Sequence, residues 1–291
     1  MKILLTGATG FIGQRFARAA ESRGHQVLPV SRTPRAGGYD WSPASLAAGV
    51  DAADAIVHLA GENLFGRRWT ERQKKALVAS RVDTTAKLAA LAARRRPEIF
   101  VSASAVGYYG PSAREGIDES SPPGDDFLAH LARRWEDAAA PASAAGVRTA
   151  IPRFGVVLGP ESGALKQMLP PFKLGVGGPI GSGRQWVSWV HAHDVSALLL
   201  FLIESPGTSG PWNVTAPQPV TMRELARTLG KVLHRPAVLP VPGFALKAAL
   251  GEVADVLLTG QHVVPRRALD AGFQFRFPRL EEALRDLLRK R

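Results

Sequence analysis

The chain of 291 residues contains no cysteine and only three tyrosines. The absence of cysteine excludes disulfide bridges, thiolate metal sites and a cysteine nucleophile, and it favours a reducing compartment. No uninterrupted apolar stretch reaches the roughly 18 residues that a membrane-spanning helix needs. The first residues predict a buried strand rather than a signal peptide, so we expect a cytoplasmic protein with no membrane partner.

Acidic residues are outnumbered by basic ones, 25 to 37, and the net charge is +12. Such an excess raises nucleic acid as a partner. The basic residues are dispersed, however, and their densest clusters, Arg94–Arg96 and Arg289–Arg291, fall at the ends of predicted helices, where cations complement the helix dipole. We therefore expect a solvated surface that attracts anionic small molecules rather than a specific nucleic-acid site.

The first thirteen residues, MKILLTGATGFIG, carry the most informative pattern of the chain. A short apolar run predicts a buried strand, and Gly7, Gly10 and Gly13 separate it from a helix that begins near Phe11. In a dinucleotide site such glycines permit the tight turn, let the backbone approach a pyrophosphate and let the helix pack on the strand. The helix N-terminus then attracts the anion. A plain strand-to-helix turn is the alternative interpretation.

The choice of dinucleotide depends on the residues after the second predicted strand, Gln26–Val30. An NAD site usually places Asp or Glu there for the ribose 2′-hydroxyl, whereas an NADP site offers arginine to the 2′-phosphate. This chain has Ser31-Arg32-Thr33 and no acid. Arg32 can pair bidentately with a phosphate, and the two hydroxyls can donate hydrogen bonds to it. We predict NADP(H) as the cofactor; a solvated loop arginine is the alternative.

Strand and helix signals alternate along the first 215 residues, which predicts an α/β fold with a Rossmann-type, doubly wound parallel sheet. We assign residues 1–160 and 186–215 to this domain, and residues 161–185 and 216–291 to a smaller, discontinuous substrate lobe rich in turns. Ligands of such sheets bind at the carboxyl ends of the strands. The residues predicted to bind cofactor are Gly7, Thr9, Gly10, Phe11, Ile12, Gly13, Ser31, Arg32, Thr33, Asp40, Leu59, Ala60, Gly61, Glu62, Arg81 and Arg153.

Three stretches resemble the extended short-chain dehydrogenase/reductase superfamily, which includes nucleotide-sugar epimerases and dehydratases: Thr6–Gly13, His58–Gly61 and Ser102–Gly110. A narrower resemblance is to its atypical epimerase-like family of the YfcH type. It is carried by residues 39–43, 69–70, 80–81, 104–110, 181–186 and 189–191, together with a C-terminal segment over residues 240–284. The resemblance implies an NADP(H)-binding Rossmann domain with a small C-terminal lobe, and it defines no reaction.

The chain departs from the superfamily at its usual catalytic pair, Tyr-x-x-x-Lys, in which the tyrosine moves the proton. None of the three tyrosines is followed four residues later by lysine, and the helix expected to carry the pair, 127–136, is apolar at those positions. The resemblance leaves Ser104 to orient a substrate oxygen or to serve as a structural hydroxyl. Tyr108 and Tyr109 are candidates to replace the missing acid, or they are aromatics that pack under the cofactor. Arg81 binds an anionic substrate or forms an ion pair on the helix surface.

Other polar and aromatic residues have two interpretations each. His58 is expected to lie in the core, and Glu62 is a base or a loop carboxylate. Asp194 is expected to cap a helix, with His191 in a loop. Trp186 and Trp189 line a pocket or pack in the core.

The combined prediction is an NADP(H)-dependent oxidoreductase or epimerase-like enzyme that acts on a small substrate, such as a nucleotide sugar or a carbonyl compound. The alternative is a non-catalytic NADP(H) sensor. The long helix predicted from Thr70 to Arg95 either mediates a homodimer or faces solvent.

Overall fold

The computed structural model describes residues 1–34, 37–161 and 163–289. Its strands are β1 (Lys2–Thr6), β2 (Gln26–Val30), β3 (Ala55–His58), β4 (Ile99–Ser102), β5 (Ser104–Ala105), β6 (Arg148–Phe154), β7 (Val156–Leu158), β8 (Trp186–Val187), β9 (Trp189–His191), β10 (Gly210–Val214) and β11 (Val220–Thr221). The central sheet has the order β10-β6-β4-β3-β1-β2, with β5 beside β6, and every pairing in it is parallel. The predicted Rossmann-type sheet is confirmed.

Helices cover both faces of this sheet and build the C-terminal lobe. They are α1 (Phe11–Ser22), α2 (Pro43–Asp51), α3 (Glu71–Ala79), α4 (Val82–Arg95), α5 (Phe127–Asp137), α6 (Ala140–Ala144), α7 (Gly163–Lys173), α8 (Ala192–Glu204), α9 (Met222–Leu233), α10 (Gly243–Leu250), α11 (Val253–Leu258), α12 (Arg266–Asp270) and α13 (Leu280–Leu288), and a 3₁₀ turn covers Val106–Tyr109. None of the helices in the described ranges has the length and hydropathy required to cross a membrane.

The strand order sets the position of the ligand crevice. β1 pairs with β2 on one side and with β3 on the other, so the chain changes its direction of winding at β1. The loops that follow β1 and β3 therefore run to opposite faces of the sheet and leave a crevice between them. Residues 3–5 and 55–57 are fully buried, as expected for central parallel strands covered on both faces.

Three apolar clusters hold the layers together. One packs β1, β3 and β4 against α1 and α8, and a second packs the opposite face against α2, α4 and α6. The third joins α7, α9 and α13 around Trp189 and forms the core of the C-terminal lobe. The boundaries of the two domains stay a prediction.

The prediction of one continuous helix from Thr70 to Arg95 is wrong. Thr70 caps the start as predicted, accepting a hydrogen bond from the Gln73 N–H, but α3 ends at Ala79 and α4 begins at Val82. The break lies at Arg81, whose side chain turns back to bond the Leu77 carbonyl at the end of α3. The same guanidinium donates to the Glu62 carbonyl in the loop after β3, a long-range contact that helix periodicity cannot reveal.

Smaller differences have local causes. The sequence analysis missed α2, although Ser42 and Pro43 are typical of a helix start. The helix expected over residues 127–136 runs from Phe127 to Asp137. Of the predicted basic clusters, Arg94 and Arg95 lie in the last turn of α4, whereas residues 290 and 291 lie outside the described residues.

Candidate active site

The turn between β1 and α1 uses its three glycines in three different ways. Gly7 has a φ of +71°, and a Cβ there would lie 2.8 Å from the Leu59 carbonyl carbon. A Cβ at Gly13 would lie 2.1 Å from the Gly7 oxygen, so only glycine lets α1 approach the turn. At Gly10 a Cβ would meet nothing within 4 Å except that same oxygen, at 3.2 Å. The backbone at Gly10 is therefore open toward the crevice.

The N-terminus of α1 is equipped for an anion. Its N-cap residue, Gly10, supplies no capping side chain, and the first turn contains no acidic residue. The first N–H groups of a helix have no partner within the helix, so they and the helix dipole are directed at whatever occupies the crevice. The neighbouring side chains pack away from it: the Phe11 ring lies against Gly159, and Ile12 borders the core. Thr9 is exposed, and its carbonyl accepts a hydrogen bond from the Gln14 amide.

The loop after β3 is held against this turn by a chain of buried polar contacts. The Thr6 hydroxyl accepts a hydrogen bond from the Ala60 N–H and lies 2.6 Å from His58 Nδ1. The other ring nitrogen of His58 is 3.3 Å from the Thr84 hydroxyl. Burial, followed by the positive charge of Arg81, lowers the pKa of His58 to about 3. His58 is thus a neutral core residue, as predicted, and it positions the backbone of residues 59–61.

Arg32 lies just beyond the end of β2, on an exposed loop. Its guanidinium makes no hydrogen bond or ion pair with any residue that the structure describes. Beside it, the Ser31 N–H donates to the Tyr39 carbonyl, and Tyr39 bridges to Val30 as a single-residue extension of the sheet. Asp40 is used locally, since one carboxylate oxygen accepts from both the N–H and the hydroxyl of Ser42. Arg32 and the exposed Thr33 are free to meet a ligand.

Arg81 is buried directly behind the β3 loop. Its guanidinium donates to the carbonyls of Glu62 (2.9 Å) and Leu77 (3.3 Å) and stacks over the Trp135 ring at 5.2 Å. Burial lowers the pKa of Arg81 to about 10. Of the two predicted roles, a helix-surface ion pair is not found among the described residues, and Glu62 contributes only its backbone here while its side chain is exposed.

A buried carboxylate that the sequence analysis did not single out lies at the centre of the predicted catalytic residues. Glu136 of α5 accepts two hydrogen bonds from Arg153, both 2.8 Å, and a third from the Ser104 hydroxyl at 2.6 Å. The side chains of Arg153 and Glu136 are 4% and 11% exposed. Burial alone would lower the pKa of Arg153, but the hydrogen bonds and charge of Glu136 raise it above its ordinary value.

This network continues to Tyr109 and ties three predicted site residues to one another. Arg153 donates to the Tyr109 hydroxyl at 2.9 Å, and that hydroxyl donates to Asn213 at 2.7 Å. Burial raises the pKa of Tyr109 to about 12, which disfavours it as a proton donor near neutral pH. Glu136 shares the buried face of α5 with Ala129 and Ala132, and an acid on an apolar face was the signal that could have identified it.

Tyr108 differs from Tyr109 in its surroundings. Its ring is half-buried and lies under the Arg153 guanidinium at 3.5 Å, while its hydroxyl has no hydrogen-bond partner among the described residues. Of the two tyrosines on the 3₁₀ turn, Tyr108 is the one whose hydroxyl has no partner within the described ranges.

His191 and Asp194 have structural roles that differ from those predicted. His191, not Asp194, is the N-cap of α8: its Nδ1 accepts from the His193 N–H. Its Nε2 is 3.3 Å from Asp286 in a geometry that makes no hydrogen bond, and its ring stacks on Phe277. Asp194 instead accepts from the N–H groups of Arg276 and Phe277. The pair attaches the C-terminal segment to α8.

These buried histidines predict a loss of stability in acid. Burial lowers the pKa of His191 to about 4 and that of His58 to about 3, against 6.5 in the unfolded chain. Between pH 6.5 and pH 4 the unfolded state binds more protons than the folded state, so the free energy of unfolding falls as pH falls. We expect a decrease on the order of 3–5 kcal/mol over this range, measured by urea unfolding.

Two variants localise that pH dependence. His191→Asn keeps a capping side chain but does not titrate, so the decrease should be roughly halved. His130→Asn, at an exposed histidine of α5, should leave it unchanged. An unchanged slope in His191→Asn would contradict the prediction.

A shallow cavity of about 400 Å³, widely open to solvent, lies beyond the 3₁₀ turn, between residues 111–113 and the C-terminal lobe. Trp186 lines it together with Arg184, Gln185 and Gly260. The Arg184 side chain is exposed and forms no ion pair within the described ranges. Trp189, by contrast, is fully buried and packs in the core of the lobe. Of the two predicted pocket tryptophans, Trp186 borders a cavity and Trp189 does not.

Comparison with known proteins assigns the architecture to a family. The family model described as "NAD dependent epimerase/dehydratase family" matches residues 3–215. The chain belongs to this family. A second model, described as a domain of unknown function, matches residues 241–287, which coincides with the distinctive C-terminal segment recognised in the sequence.

Full-length relatives place the chain within one branch of the epimerase/dehydratase family. The mouse epimerase family protein SDR39U1 is 42% identical over 294 residues, which cover 99% of this chain and 100% of the mouse protein. The Bacillus subtilis epimerase family protein YfhF is 40% identical over 302 residues, covering 100% and 99%. The crystal structure of human SDR39U1 (isoform 2) with NADPH superposes with a TM-score of 0.92 at 41% identity, covering 99% of both chains.

Proposed function

We propose that this member of the epimerase/dehydratase family binds NADPH across the carboxyl ends of β1, β2 and β3 and uses it in an oxidoreductase or epimerase-like reaction on a small molecule. The observation that carries the proposal is the turn between β1 and α1. A side chain at Gly7 or Gly13 would collide with the backbone, whereas the backbone at Gly10 is open toward the crevice. The human relative, 41% identical and described with NADPH, supports the choice of cofactor.

The residues of the crevice fit the diphosphate and the 2′-phosphate of such a cofactor. A diphosphate suits the uncapped N-terminus of α1, where free N–H groups and the helix dipole meet without a competing acid. A 2′-phosphate suits Arg32, a cation without a partner in the described parts of the chain, next to the hydroxyls of Ser31 and Thr33. The backbone of residues 59–61, which Thr6 and His58 position, borders the same crevice.

A hydride is what NADPH supplies when it is bound, and the chain must provide the accompanying proton transfer. Ser104 already donates its proton to Glu136, so toward a substrate it can only accept a hydrogen bond. It therefore suits a substrate hydroxyl better than a carbonyl oxygen. Tyr108, whose hydroxyl is unpartnered, is the residue we assign to proton transfer.

The substrate we favour is a small hydroxyl- or carbonyl-bearing compound with an anionic group. The cavity beside Trp186 offers an aromatic wall and the cation of Arg184, which has no acidic partner among the described residues. Residues 111–113, on one side of the cavity, directly follow the 3₁₀ turn that carries Tyr108.

One observation favours a second function, a non-catalytic NADPH sensor. Ser104, Tyr109 and Arg153 are all engaged in a satisfied internal network, which stabilises the fold without any substrate. A panel of aldehydes and ketones supplied with NADPH, and of hydroxy acids supplied with NADP⁺, tested for a change in NADPH absorbance, separates the two functions. Turnover that Tyr108→Phe abolishes while NADPH affinity stays unchanged supports the enzyme, and no turnover with any compound supports the sensor.

The cofactor assignment is tested by titrating wild type and Arg32→Ala with NADPH and NADH. Wild type should prefer NADPH, because Arg32 is the cation placed for the 2′-phosphate. The variant should bind NADPH about 10- to 100-fold more weakly, since a charge-assisted hydrogen bond contributes about 1.5–3 kcal/mol. Its affinity for NADH should hardly change.

The matched control is Arg227→Ala, which removes an exposed arginine from α9 in the C-terminal lobe. It should leave both affinities at the wild-type value. Equal weakening in the two variants would mean that overall positive charge, not Arg32, attracts the cofactor. Binding of neither dinucleotide by the wild type would remove the proposed function altogether.

A further inference from the structure

Two segments of the C-terminal lobe, residues 173–181 and 234–248, lie side by side and form one surface, called here the apolar patch. The Val241 N–H donates to the Pro179 carbonyl and the Gly181 N–H to the Val241 carbonyl, both at 2.9 Å. Leu239 and Gly177 are joined in the same way. The second segment continues into α10, so the patch includes the outer face of that helix.

The patch concentrates the exposed apolar side chains of the molecule. Of the eight large hydrophobic residues exposed in the described ranges, six lie here: Leu174, Val176, Val238, Leu239, Val241 and Phe244. Phe244, Leu174 and Val238 are 79%, 78% and 73% exposed, so they protrude rather than line a groove. A contiguous apolar surface of this kind is unusual for a soluble chain and marks an interaction site.

The orientation of α10 contributes to this surface. Its inner positions, Gly243, Leu246 and Leu250, are half-buried, and Gly243 faces Leu258 of α11. Its outer positions, Phe244 and Ala248, are exposed, and no residue of the helix is buried. The apolar outer face of α10 is therefore left to solvent or to a partner.

The charge of the patch has one sign. Neither segment contains Asp or Glu, whereas they contain Lys173, Arg235 and Lys247. Lys247 is paired with Asp255 of α11 at 2.8 Å. Arg235 donates only to the carbonyls of Lys173 and His234, and Lys173 has no acidic partner in the part of the chain that the structure describes. Two cations are thus available beside the protruding apolar side chains.

We propose that the apolar patch binds the surface of an anionic lipid bilayer. Leu174, Val238 and Phe244 would enter the boundary between headgroups and acyl chains, with Lys173 and Arg235 against the acidic headgroups. A second copy of this chain would bring the same cations into contact and repel. A bilayer accepts protruding side chains in any arrangement, and its charge complements the patch.

This proposal departs from the expectation that the chain has no membrane partner. A search for membrane segments looks for long apolar runs in the sequence. The patch is assembled from two short segments and one face of an eight-residue helix, so its area exists only in the folded chain.

Co-sedimentation with vesicles tests the proposal. Vesicles of phosphatidylcholine containing phosphatidylglycerol should bind the wild type, and phosphatidylcholine alone should bind it at least about tenfold more weakly. Binding should weaken as salt is added, because the charge contribution is screened. Phe244→Ser combined with Leu174→Ser should reduce binding about tenfold or more, and Lys173→Gln with Arg235→Gln should remove the preference for the acidic lipid.

Leu269→Ser is the matched control, because Leu269 is a 43% exposed leucine of α12 outside the patch. It should bind vesicles like the wild type. All variants should keep the wild-type thermal midpoint and NADPH titration, since the altered side chains face solvent. No binding to acidic vesicles overturns the proposal, as does equal loss in Leu269→Ser. A dimer that Phe244→Ser dissociates, without vesicle binding, would assign the patch to a second copy instead.

Discussion

Gly13→Ala is expected to lower the free energy of unfolding by roughly 2–4 kcal/mol and to abolish NADPH binding. A Cβ at this position would lie 2.1 Å from the Gly7 oxygen and 3.0 Å from the Ala8 Cα, and both are backbone atoms that cannot rotate away. α1 would have to move off β1, and the turn that faces the crevice would move with it. Urea unfolding and a fluorescence titration with NADPH measure the two effects.

Gly10→Ala is the matched variant that separates binding from folding. Gly10 has φ −75° and ψ 167°, which alanine adopts without strain, and its Cβ would meet only the Gly7 oxygen at 3.2 Å. We expect stability within about 1 kcal/mol of the wild type and NADPH affinity at least about tenfold weaker, because the methyl group would occupy space needed by the diphosphate. Wild-type affinity in Gly10→Ala would place the diphosphate elsewhere.

Glu136→Ala is expected to destabilise the protein by roughly 3–5 kcal/mol, because the change leaves the buried guanidinium of Arg153 without a carboxylate. Ser104 would lose its acceptor at the same time. The free energy of unfolding in urea measures the effect. Glu281→Ala is the matched control, since Glu281 pairs with Lys231 and Arg285 among side chains that are 36–63% exposed, and it should change stability by less than about 1 kcal/mol.

A double variant distinguishes an uncompensated charge from a simple loss of packing. Glu136→Ala with Arg153→Met removes the buried cation as well, so it should be more stable than Glu136→Ala alone. If the double variant is less stable, Arg153 has a stabilising role apart from Glu136. A loss of less than about 1 kcal/mol in Glu136→Ala itself would contradict the network as a source of stability.

The parts of the site that could be predicted depend on neighbours in sequence. The glycine turn, the helix after it and the strand Gln26–Val30 follow from spacing, from helix N-terminus chemistry and from an apolar run. Arg32 is identified because its position directly follows that strand. These features depend on residues close together in the sequence, so they can be recognised without the rest of the chain. The observed parallel sheet and the family match agree with the predicted features.

The parts that could not be predicted depend on residues distant in sequence. Glu136 bonds to Ser104, which lies 32 residues before it, and to Arg153, which lies 17 residues after it. No helix or strand periodicity relates these three positions. At the break between α3 and α4, Arg81 contacts the loop after β3, 19 residues before it in the sequence. In the same way, His191 rather than Asp194 caps α8, because the Asp194 carboxylate is held by backbone N–H groups from a segment 82 and 83 residues later.

The amino-acid sequence by itself determined the alternation of strands and helices, the glycine turn between β1 and α1 and the absence of a Tyr-x-x-x-Lys pair, because each depends on short-range spacing. Only the tertiary structure decided which of the candidate side chains are free. It pairs Tyr109 and Ser104 internally and leaves the hydroxyl of Tyr108 and the guanidinium of Arg32 unpartnered among the described residues. The physical reason is that burial and hydrogen-bond partners are set by packing between distant elements, and these decide whether a polar group can meet a ligand.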